Sequence, residues 1–317
     1  MPANKISTRI DALTRIPQEY RHAVIPAPPS VKVELTGRCN FSCSFCARSQ
    51  NLREQKDMDR KFYSRLIREL RAAGVEELGL FYLGESFLLP WLPEAIAEAK
   101  KVGFPYVFLT TNGSAAGPEK VHACMAAGLD SLKWSLNYAD SRQFHEITHA
   151  KPGLWQTILD NVQQAHQVRT AGGFSCGLYA SYILYDDEQA VRMGSVVSQV
   201  RPWVDEIYAL PLYNQGGLLT ASEQAMGWKP SAGNRGRAFA MVPALPCWAV
   251  FREGHVTWDG FLSACCFDHK EGWIMGDLSK LSFLQAWNSP AFQKLRKAHL
   301  DGEVSETPCQ ACAVLQT

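Results

Sequence analysis

Two patterns of apolar residues alternate along this chain. Short, strand-like apolar runs are separated by segments whose apolar residues recur every three to four positions, as in a helix; Phe62, Leu66 and Leu70 are an example. Strands that alternate regularly with helices predict an α/β protein with a parallel sheet. We therefore predict six strand–helix units within residues 31–212. The runs rich in β-branched and aromatic residues are 31–36, 78–83, 106–110, 131–136, 177–184 and 206–210.

The remaining segments lack this alternation. Residues 1–30 combine a short helical pattern with a proline-rich stretch and form a predicted N-terminal extension, and 31–212 is the repeated domain. Residues 213–246 are rich in Gly, Pro, Ser and Asn, which predicts a linker. Residues 247–317 contain Asp259-Gly260 between two apolar runs, the pattern of a β-hairpin, and then a helical pattern over 283–300. We predict that 247–317 is a small cysteine-rich module made of a hairpin and a helix.

Composition and charge exclude several classes of partner. The 317 residues are 46% hydrophobic and 20% charged, as in a globular protein with a proper core. Thirty-two basic residues against 31 acidic ones give a formal charge of +1, which predicts neither nucleic-acid binding nor binding to an anionic membrane. Because no apolar run approaches ~18 residues and the first twenty lack a signal-peptide core, we expect a cytoplasmic protein without a membrane span.

Ten cysteines in such a protein indicate metal binding rather than disulfides, because reducing compartments keep thiols free. Three of them, Cys39, Cys43 and Cys46, have the spacing C-x3-C-x2-C at the end of the first predicted strand. Three thiolates can hold three irons of a [4Fe–4S] cube and leave the fourth iron open, whereas zinc would need a fourth ligand nearby. Cys124 and Cys176 lie outside these groups and are expected to be buried.

The cysteine spacing, with the aromatic residue Phe45 before the last thiol, resembles the signature of the radical S-adenosylmethionine (radical SAM) enzymes. The resemblance implies a partial (β/α)6 TIM-type barrel. It also implies that S-adenosylmethionine chelates the open iron and is cleaved to a 5′-deoxyadenosyl radical, which abstracts hydrogen from a substrate. Phe45 would then lie beside the adenine.

Further matches lie at the ends of the next three strands, where chemistry gathers in such barrels. Gly84-Glu85 resembles the family's Gly-Gly-Glu motif, with Leu83 in place of the first glycine, and would hold the methionyl amino group. Ser135 would contact the ribose or the carboxylate. The resemblance thus implies a cofactor site made of Phe45, Gly84, Glu85, Thr110, Asn112, Ser135 and Asn137.

The last seventy residues resemble the auxiliary-cluster modules called SPASM and, in shortened form, Twitch. The matching features are a lone cysteine, Gly-x4-Cys, Gly-Asp-Leu, a Trp-Asn-Ser-Pro helix start and Cys-x2-Cys. This chain has five cysteines here where full SPASM modules have seven, enough for one cluster. The implied ligands of a second [4Fe–4S] cluster are Cys247, Cys265, Cys309 and Cys312, with zinc on the same thiolates as the alternative.

Cys266 is then a spare thiol, which leads to the predicted reaction. We predict an epimerase in which Cys266 returns hydrogen to a radical on a sugar, an aminocyclitol-type small molecule or a peptide, with flavodoxin or ferredoxin as reductant. The alternative is a dehydrogenase whose auxiliary cluster accepts an electron. In aminocyclitol dehydrogenases an Asn-Arg-Gly-Gly segment precedes the module; here Asn214-Gln215-Gly216-Gly217 lacks the arginine, for which Arg235 could substitute. A non-catalytic electron-transfer protein is a more distant reading.

Overall fold

One continuous sheet of nine strands runs through the computed structural model, which describes residues 5–219, 224–269 and 272–313. Its strand order is β6-β5-β4-β3-β2-β1-β7-β8-β9. The first six strands are parallel to one another, as the alternating pattern predicts. The strands are β1 Ser30–Val33, β2 Glu77–Gly79, β3 Tyr106–Thr111, β4 Ser131–Ser135, β5 Gly177–Leu184, β6 Glu206–Pro211, β7 Glu253–Val256, β8 Phe261–Ser263 and β9 Ile274–Asp277.

Helices cover the outer face of the parallel strands. In α2 the buried residues Tyr63, Leu66, Ile67 and Leu70 repeat at helical spacing, and the Asp59 side chain caps its amino end by accepting from the Phe62 N–H. The helices are α1 Ile6–Leu13, α2 Arg60–Ala72, α3 Leu92–Val102, α4 Pro118–Ala126, α5 Ser141–Thr148, α6 Leu154–Gly172, α7 Asp187–Val200, α8 Ala249–Arg252, α9 Phe283–Trp287, α10 Pro290–Asp301 and α11 Gln310–Ala313. Short 3₁₀ turns occur at Gln18–Tyr20, Ala47–Gln50, Ser86–Leu88, Arg201–Trp203 and Gln215–Gly217.

The sheet curves around an interior cavity of about 220 Å³, which we call the barrel cavity. Side chains from β1, β3, β4, β6 and β7 all line it, so the predicted partial TIM-type barrel is confirmed. Helix α1 lies across the amino ends of the strands. Arg9 donates to the Glu77 carboxylate at the start of β2, and the Ser7 N–H donates to Glu206 at the start of β6.

The C-terminal module joins the barrel through its first strand. β7 pairs in parallel with β1, and β8 and β9 continue antiparallel, so the predicted hairpin is present but belongs to the barrel sheet. Trp287 donates its indole N–H to the Pro26 carbonyl at 2.8 Å, and Asn288 pairs with the backbone of Ile25. The module is therefore packed along the segment that enters β1.

The single helix predicted over 283–300 is wrong. Helix α9 ends at Trp287, and α10 begins at Pro290 after Ser289, whose side chain accepts from the Phe292 N–H. Proline tolerates the first helical position but not the helix interior, because it lacks an N–H and fixes φ. Asn288-Ser289-Pro290 therefore ends helix α9 and begins helix α10. Among the described helices, none is both long and apolar enough to cross a membrane.

Candidate active site

The three thiols of the C-x3-C-x2-C motif lie in a loop directly after β1. Arg48 binds this loop together by donating to the carbonyl oxygens of Gly37, Cys39 and Phe41 at 3.2–3.3 Å. Five fixed donors make a guanidinium suited to gathering several acceptors. The loop is therefore held in shape by a residue outside the motif, one that the sequence analysis did not identify.

Gly84 and Glu85 meet this loop at the end of the segment that follows β2. A Cβ on Gly84 would lie 2.0 Å from the Thr36 carbonyl oxygen, so only glycine fits there. The Glu85 side chain is buried and accepts from the Asn112 N–H at 2.7 Å and from the Thr111 hydroxyl at 2.9 Å. Glu85 thus connects the second and third strand ends, and its predicted contact with the cofactor's ammonium stays a prediction.

The other predicted cofactor residues surround the same end of the barrel. The Asn112 amide donates to Asn40 at 2.9 Å and lies 3.8 Å from the Cys39 sulfur. Asn137 is buried, and its Oδ1 has no hydrogen-bond partner among the described residues. Ser135 ends β4 and is half-buried. A buried acceptor without a donor fits a site that a ligand's donor completes.

An aromatic wall stands beside the cysteine loop. Phe45 packs against Tyr185 with ring centroids 6.3 Å apart, and Tyr185 stacks on Trp228 at 4.6 Å. The predicted neighbour of the adenine is therefore one part of a larger aromatic surface. Tyr185 and Trp228 lie after β5 and beyond β6, and nothing in the local sequence pattern links them to Phe45.

The four predicted auxiliary ligands line one cavity of about 510 Å³, which we call the auxiliary cavity: Cys247, Cys265, Cys309 and Cys312. Asn214 holds its C-terminal side by donating to the carbonyl oxygens of Ala311 and Cys312. Gln215 bonds His269, which also lines this cavity, at 2.9 Å. The Asn-Gln-Gly-Gly segment therefore supports the auxiliary site.

The chemistry of these thiols fits iron–sulfur clusters. Burial raises the pKa of Cys46, Cys247 and Cys312 to about 11. Cluster formation therefore has to displace protons from buried thiols. Among the described residues, no three His, Cys, Asp or Glu side chains converge on one ion position. A four-iron cube takes one thiolate on each iron, so its ligands surround a larger group.

Cys265 and Cys266 face different cavities. Cys265 lines the auxiliary cavity, whereas Cys266 lines the barrel cavity together with Lys32 and Glu253. Strand alternation would turn Cys265 and Cys266 to opposite faces only if the hairpin strand continued through both residues, but β8 ends at Ser263. A turn after β8 separates them instead.

The barrel cavity is lined by Cys266 and by two residues near the carboxyl ends of strands. Thr110 and Leu210, near the carboxyl ends of β3 and β6, line the same cavity as Cys266. The Asn234 amide donates to the Cys266 sulfur at 3.4 Å and so fixes the side chain. Among the predicted cofactor residues, Thr110 lines the barrel cavity, whereas Phe45, Glu85 and Asn112 do not.

The two arginines of the 233–237 loop both bind other residues of the chain. Arg235 donates to the Val242 carbonyl at 2.8 Å, and Arg237 forms an ion pair with Asp11 of α1 at 2.7 Å. The suggested role of Arg235 as a substitute for a substrate-binding arginine gains no support from these contacts. Cys124 and Cys176 are buried, as predicted.

Two family models match the chain. The model of the radical SAM superfamily matches residues 33–182, and the model of an iron–sulfur cluster-binding domain, SPASM, matches residues 247–313. Together they cover more than half of the chain and include the seven predicted cluster cysteines.

Curated relatives match over shorter stretches. A PqqA peptide cyclase of Xanthomonas axonopodis pv. citri is 33% identical over 213 residues, which is 64% of this chain and 55% of the relative. A GTP 3′,8-cyclase of Chlorobaculum tepidum is 33% identical over 119 residues, 37% of this chain and 36% of the relative. The chain therefore spans between about a third and about half of the length of these relatives.

Solved structures share the fold over most of the chain. BtrN in complex with AdoMet and 2-DOIA superposes with a TM-score of 0.60 at 16% identity, covering 91% of this chain and 94% of that one. Streptococcus suis SuiB bound to S-adenosylmethionine gives 0.64 at 15% identity, covering 87% and 69%. At such identities the likeness concerns the fold.

Proposed function

Because this chain belongs to the radical SAM superfamily and carries a SPASM iron–sulfur module, we propose that it is an epimerase that uses the Cys266 thiol as hydrogen donor. Its cofactors are S-adenosylmethionine and two [4Fe–4S] clusters, one at Cys39, Cys43 and Cys46 and one in the auxiliary cavity. The observation that carries the proposal is the separation of Cys266 from Cys265, with only Cys266 in the barrel cavity.

The bound cofactors supply a 5′-deoxyadenosyl radical, which removes one hydrogen atom from a substrate carbon. The Cys266 S–H bond then breaks and a new C–H bond forms on the opposite face of that carbon. An S–H bond is weaker than most C–H bonds, so this transfer is downhill. The remaining thiyl takes one proton and one electron, the electron coming from an external reductant such as flavodoxin or ferredoxin. Substrate and product are therefore isomers.

The size of the barrel cavity supports a small substrate. Its volume of about 220 Å³ lies below the roughly 300–1,000 Å³ that drug-sized ligands occupy. Helix α1 contributes Ile6, Ile10 and Leu13 to its walls, which narrows the amino end of the barrel. A sugar-sized molecule fits this space better than a folded peptide does.

A dehydrogenase is the second candidate, because the barrel cavity also contains a carboxylate that could take a proton from a substrate radical. That carboxylate is Glu253, which bonds Lys32 at 2.8 Å and His255 at 3.0 Å. Although burial favours the neutral acid, these two neighbours hold the pKa of Glu253 below its ordinary value. A carboxylate stabilised in this way is a weak base. This favours hydrogen donation by Cys266 over proton removal by Glu253.

The test compares the wild-type enzyme with Cys266→Ala, using Cys124→Ala in helix α4 as the matched control. With substrate in heavy water, the wild type and Cys124→Ala should give a product that is inverted at one carbon and carries one deuterium there. Cys266→Ala should still form 5′-deoxyadenosine but no inverted product. A product oxidised by two electrons, formed equally well by Cys266→Ala, would identify a dehydrogenase and contradict the proposal.

A further inference from the structure

The walls of the barrel cavity carry several ionic groups. Lys32 comes from β1, Lys133 from β4 and Glu253 from β7, and Arg9 reaches in from α1. Tyr208 of β6 adds a hydroxyl group. Such groups on inward-facing strand positions are costly to bury unless each finds a partner.

All but one of these ionic groups are paired within the chain. Lys32 pairs with Glu253 at 2.8 Å, and Arg9 pairs with Glu77 while its guanidinium stacks 4.3 Å from the centroid of the Phe108 ring. Lys133 is different. Its ammonium donates to the Tyr208 hydroxyl at 3.2 Å, and no carboxylate of the described residues lies within ion-pair distance of it.

The unpaired ammonium faces two further cations. Burial, followed by repulsion from Lys32 and Arg9, lowers the pKa of Lys133 to about 7. Only Glu253 opposes this effect, and that carboxylate is already engaged by Lys32. With Arg9 neutralised by Glu77 outside the cavity lining and Lys32 by Glu253, one cation of the cavity, Lys133, is left without a paired carboxylate among the described residues, in a setting where charge is poorly screened.

We propose that the barrel cavity binds its small substrate through an anionic group, a carboxylate or a phosphate, that pairs with the Lys133 ammonium. This inference rests on the proposed function for the place of the cavity in the reaction. It narrows the substrate class to a small acidic molecule, such as a sugar acid or a sugar phosphate. A neutral cyclitol or a cationic aminocyclitol would leave Lys133 without a counter-ion.

The ion pair also orients the substrate. Lys133 is on β4, while Cys266 is in the turn after β8, and both line the same cavity. An anionic group held at Lys133 fixes one end of the substrate and leaves its carbon skeleton in the space between the two side chains. Tyr208 supplies a hydroxyl beside the ammonium that can bond the same anion.

Isothermal titration calorimetry of the cluster-loaded protein tests this without any turnover. The probes are gluconate for a carboxylate, glucose 6-phosphate for a phosphate and sorbitol as the neutral polyol. We expect at least one anionic probe to bind the wild type at least about tenfold more tightly than sorbitol, a difference of about 1.4 kcal/mol. Whichever anion binds more tightly identifies the group.

Four variants complete the experiment. Lys133→Met should abolish the preference for the anion, and Lys133→Arg should keep it because the charge remains. Lys280→Met removes an exposed lysine that is paired with Asp277, and should bind as the wild type does. Equal binding of charged and neutral probes, no binding of either anion, or an undiminished preference in Lys133→Met would overturn the proposal. Cys266→Ala should bind the anion normally, so failure of the epimerase mechanism is recognised separately.

Discussion

The two cavities that meet at Cys265 and Cys266 are lined by different chemistry. The auxiliary cavity holds four thiols in largely apolar walls; its described lining residues include Asp268, His269 and His299 but no Lys, Arg or Glu. Among its described lining residues, the barrel cavity holds the Lys32–Glu253 ion pair, the Arg9 guanidinium, the unpaired Lys133 ammonium and a single thiol. The auxiliary cavity suits a buried cluster and the barrel cavity a polar substrate. The adjacent residues Cys265 and Cys266 therefore lie in different chemical surroundings. A cysteine can therefore belong to a cysteine-rich module without being placed as a cluster ligand.

The largest expected effect is on iron content. Wild-type protein should hold about eight irons, because each of its two cubes contains four. Replacing Cys39, Cys43 and Cys46 together with alanine should leave about four irons and abolish 5′-deoxyadenosine formation. Iron analysis and chromatography of the reaction mixture measure both.

The adjacent thiols sharpen this test. Cys265→Ala should lose iron from the auxiliary cavity, whereas Cys266→Ala should keep about eight irons. The two substitutions remove the same atoms from neighbouring positions, so each is the control for the other. An equal loss of iron from both variants would show that Cys266 is a ligand and would remove the contrast between the cavities.

Arg48, which follows the cysteine motif by two residues, should be needed for assembly of the first cluster. Arg48→Gln leaves three carbonyl oxygens of the cysteine loop without their donor, each costing about 1–3 kcal/mol where it stays buried. We expect poor assembly of the first cluster while the auxiliary one forms normally. Arg38→Gln is the control, since Arg38 belongs to the same loop but forms an exposed pair with Asp57. Normal iron content in Arg48→Gln would refute this role.

The auxiliary module depends on Arg296 in a comparable way. This buried guanidinium donates to the carbonyl oxygens of Val250 and Ala23 at 2.9 and 3.1 Å. Arg296→Met should lower the free energy of unfolding by about 2–4 kcal/mol, because both acceptors lose a charged donor. The exposed neighbour Lys294 provides the control, Lys294→Met, which should be nearly neutral. Chemical denaturation of both variants decides the point.

The smallest expected effect is a pH dependence of anion binding in the barrel cavity. Lys133 faces Lys32 on β1, Arg9 on α1, Glu253 on β7 and Tyr208 on β6, and its pKa is about 7. Since the anion binds the ammonium form, its affinity should be constant below pH 7 and fall by up to about tenfold per unit above it. Calorimetry with gluconate from pH 6 to 9 measures this. An affinity that stays constant across the range would remove Lys133 from the site.

Much of the architecture could be predicted from the sequence because its signals are local. The six parallel strands follow from alternating periodicity, and the first cysteine triad lies within eight residues. Gly84 was predicted from a motif, and the close approach of the Thr36 carbonyl gives the physical reason for it. Such features are properties of neighbouring residues, so they are visible before folding.

Features that depend on packing could not be predicted. The parallel pairing of β7 with β1 joins segments more than two hundred residues apart, and no local pattern specifies it. The role of Arg48 could not be predicted either, because its contacts with the carbonyl oxygens of the cysteine loop exist only in the folded structure. The break between α9 and α10 is the exception, because Ser289-Pro290 is a recognisable helix start.

The central claim is that the Cys266 hydrogen is exposed to the cavity in which radical chemistry takes place. It can be tested without knowing the substrate, by reducing the enzyme with titanium(III) citrate in thiol-free heavy water and analysing the 5′-deoxyadenosine by mass spectrometry. Because the thiol exchanges with solvent, wild type and Cys124→Ala should place deuterium in the 5′-methyl group, and Cys266→Ala should place none. Equal deuterium in Cys266→Ala and wild type, or none in any of the three, would contradict the claim.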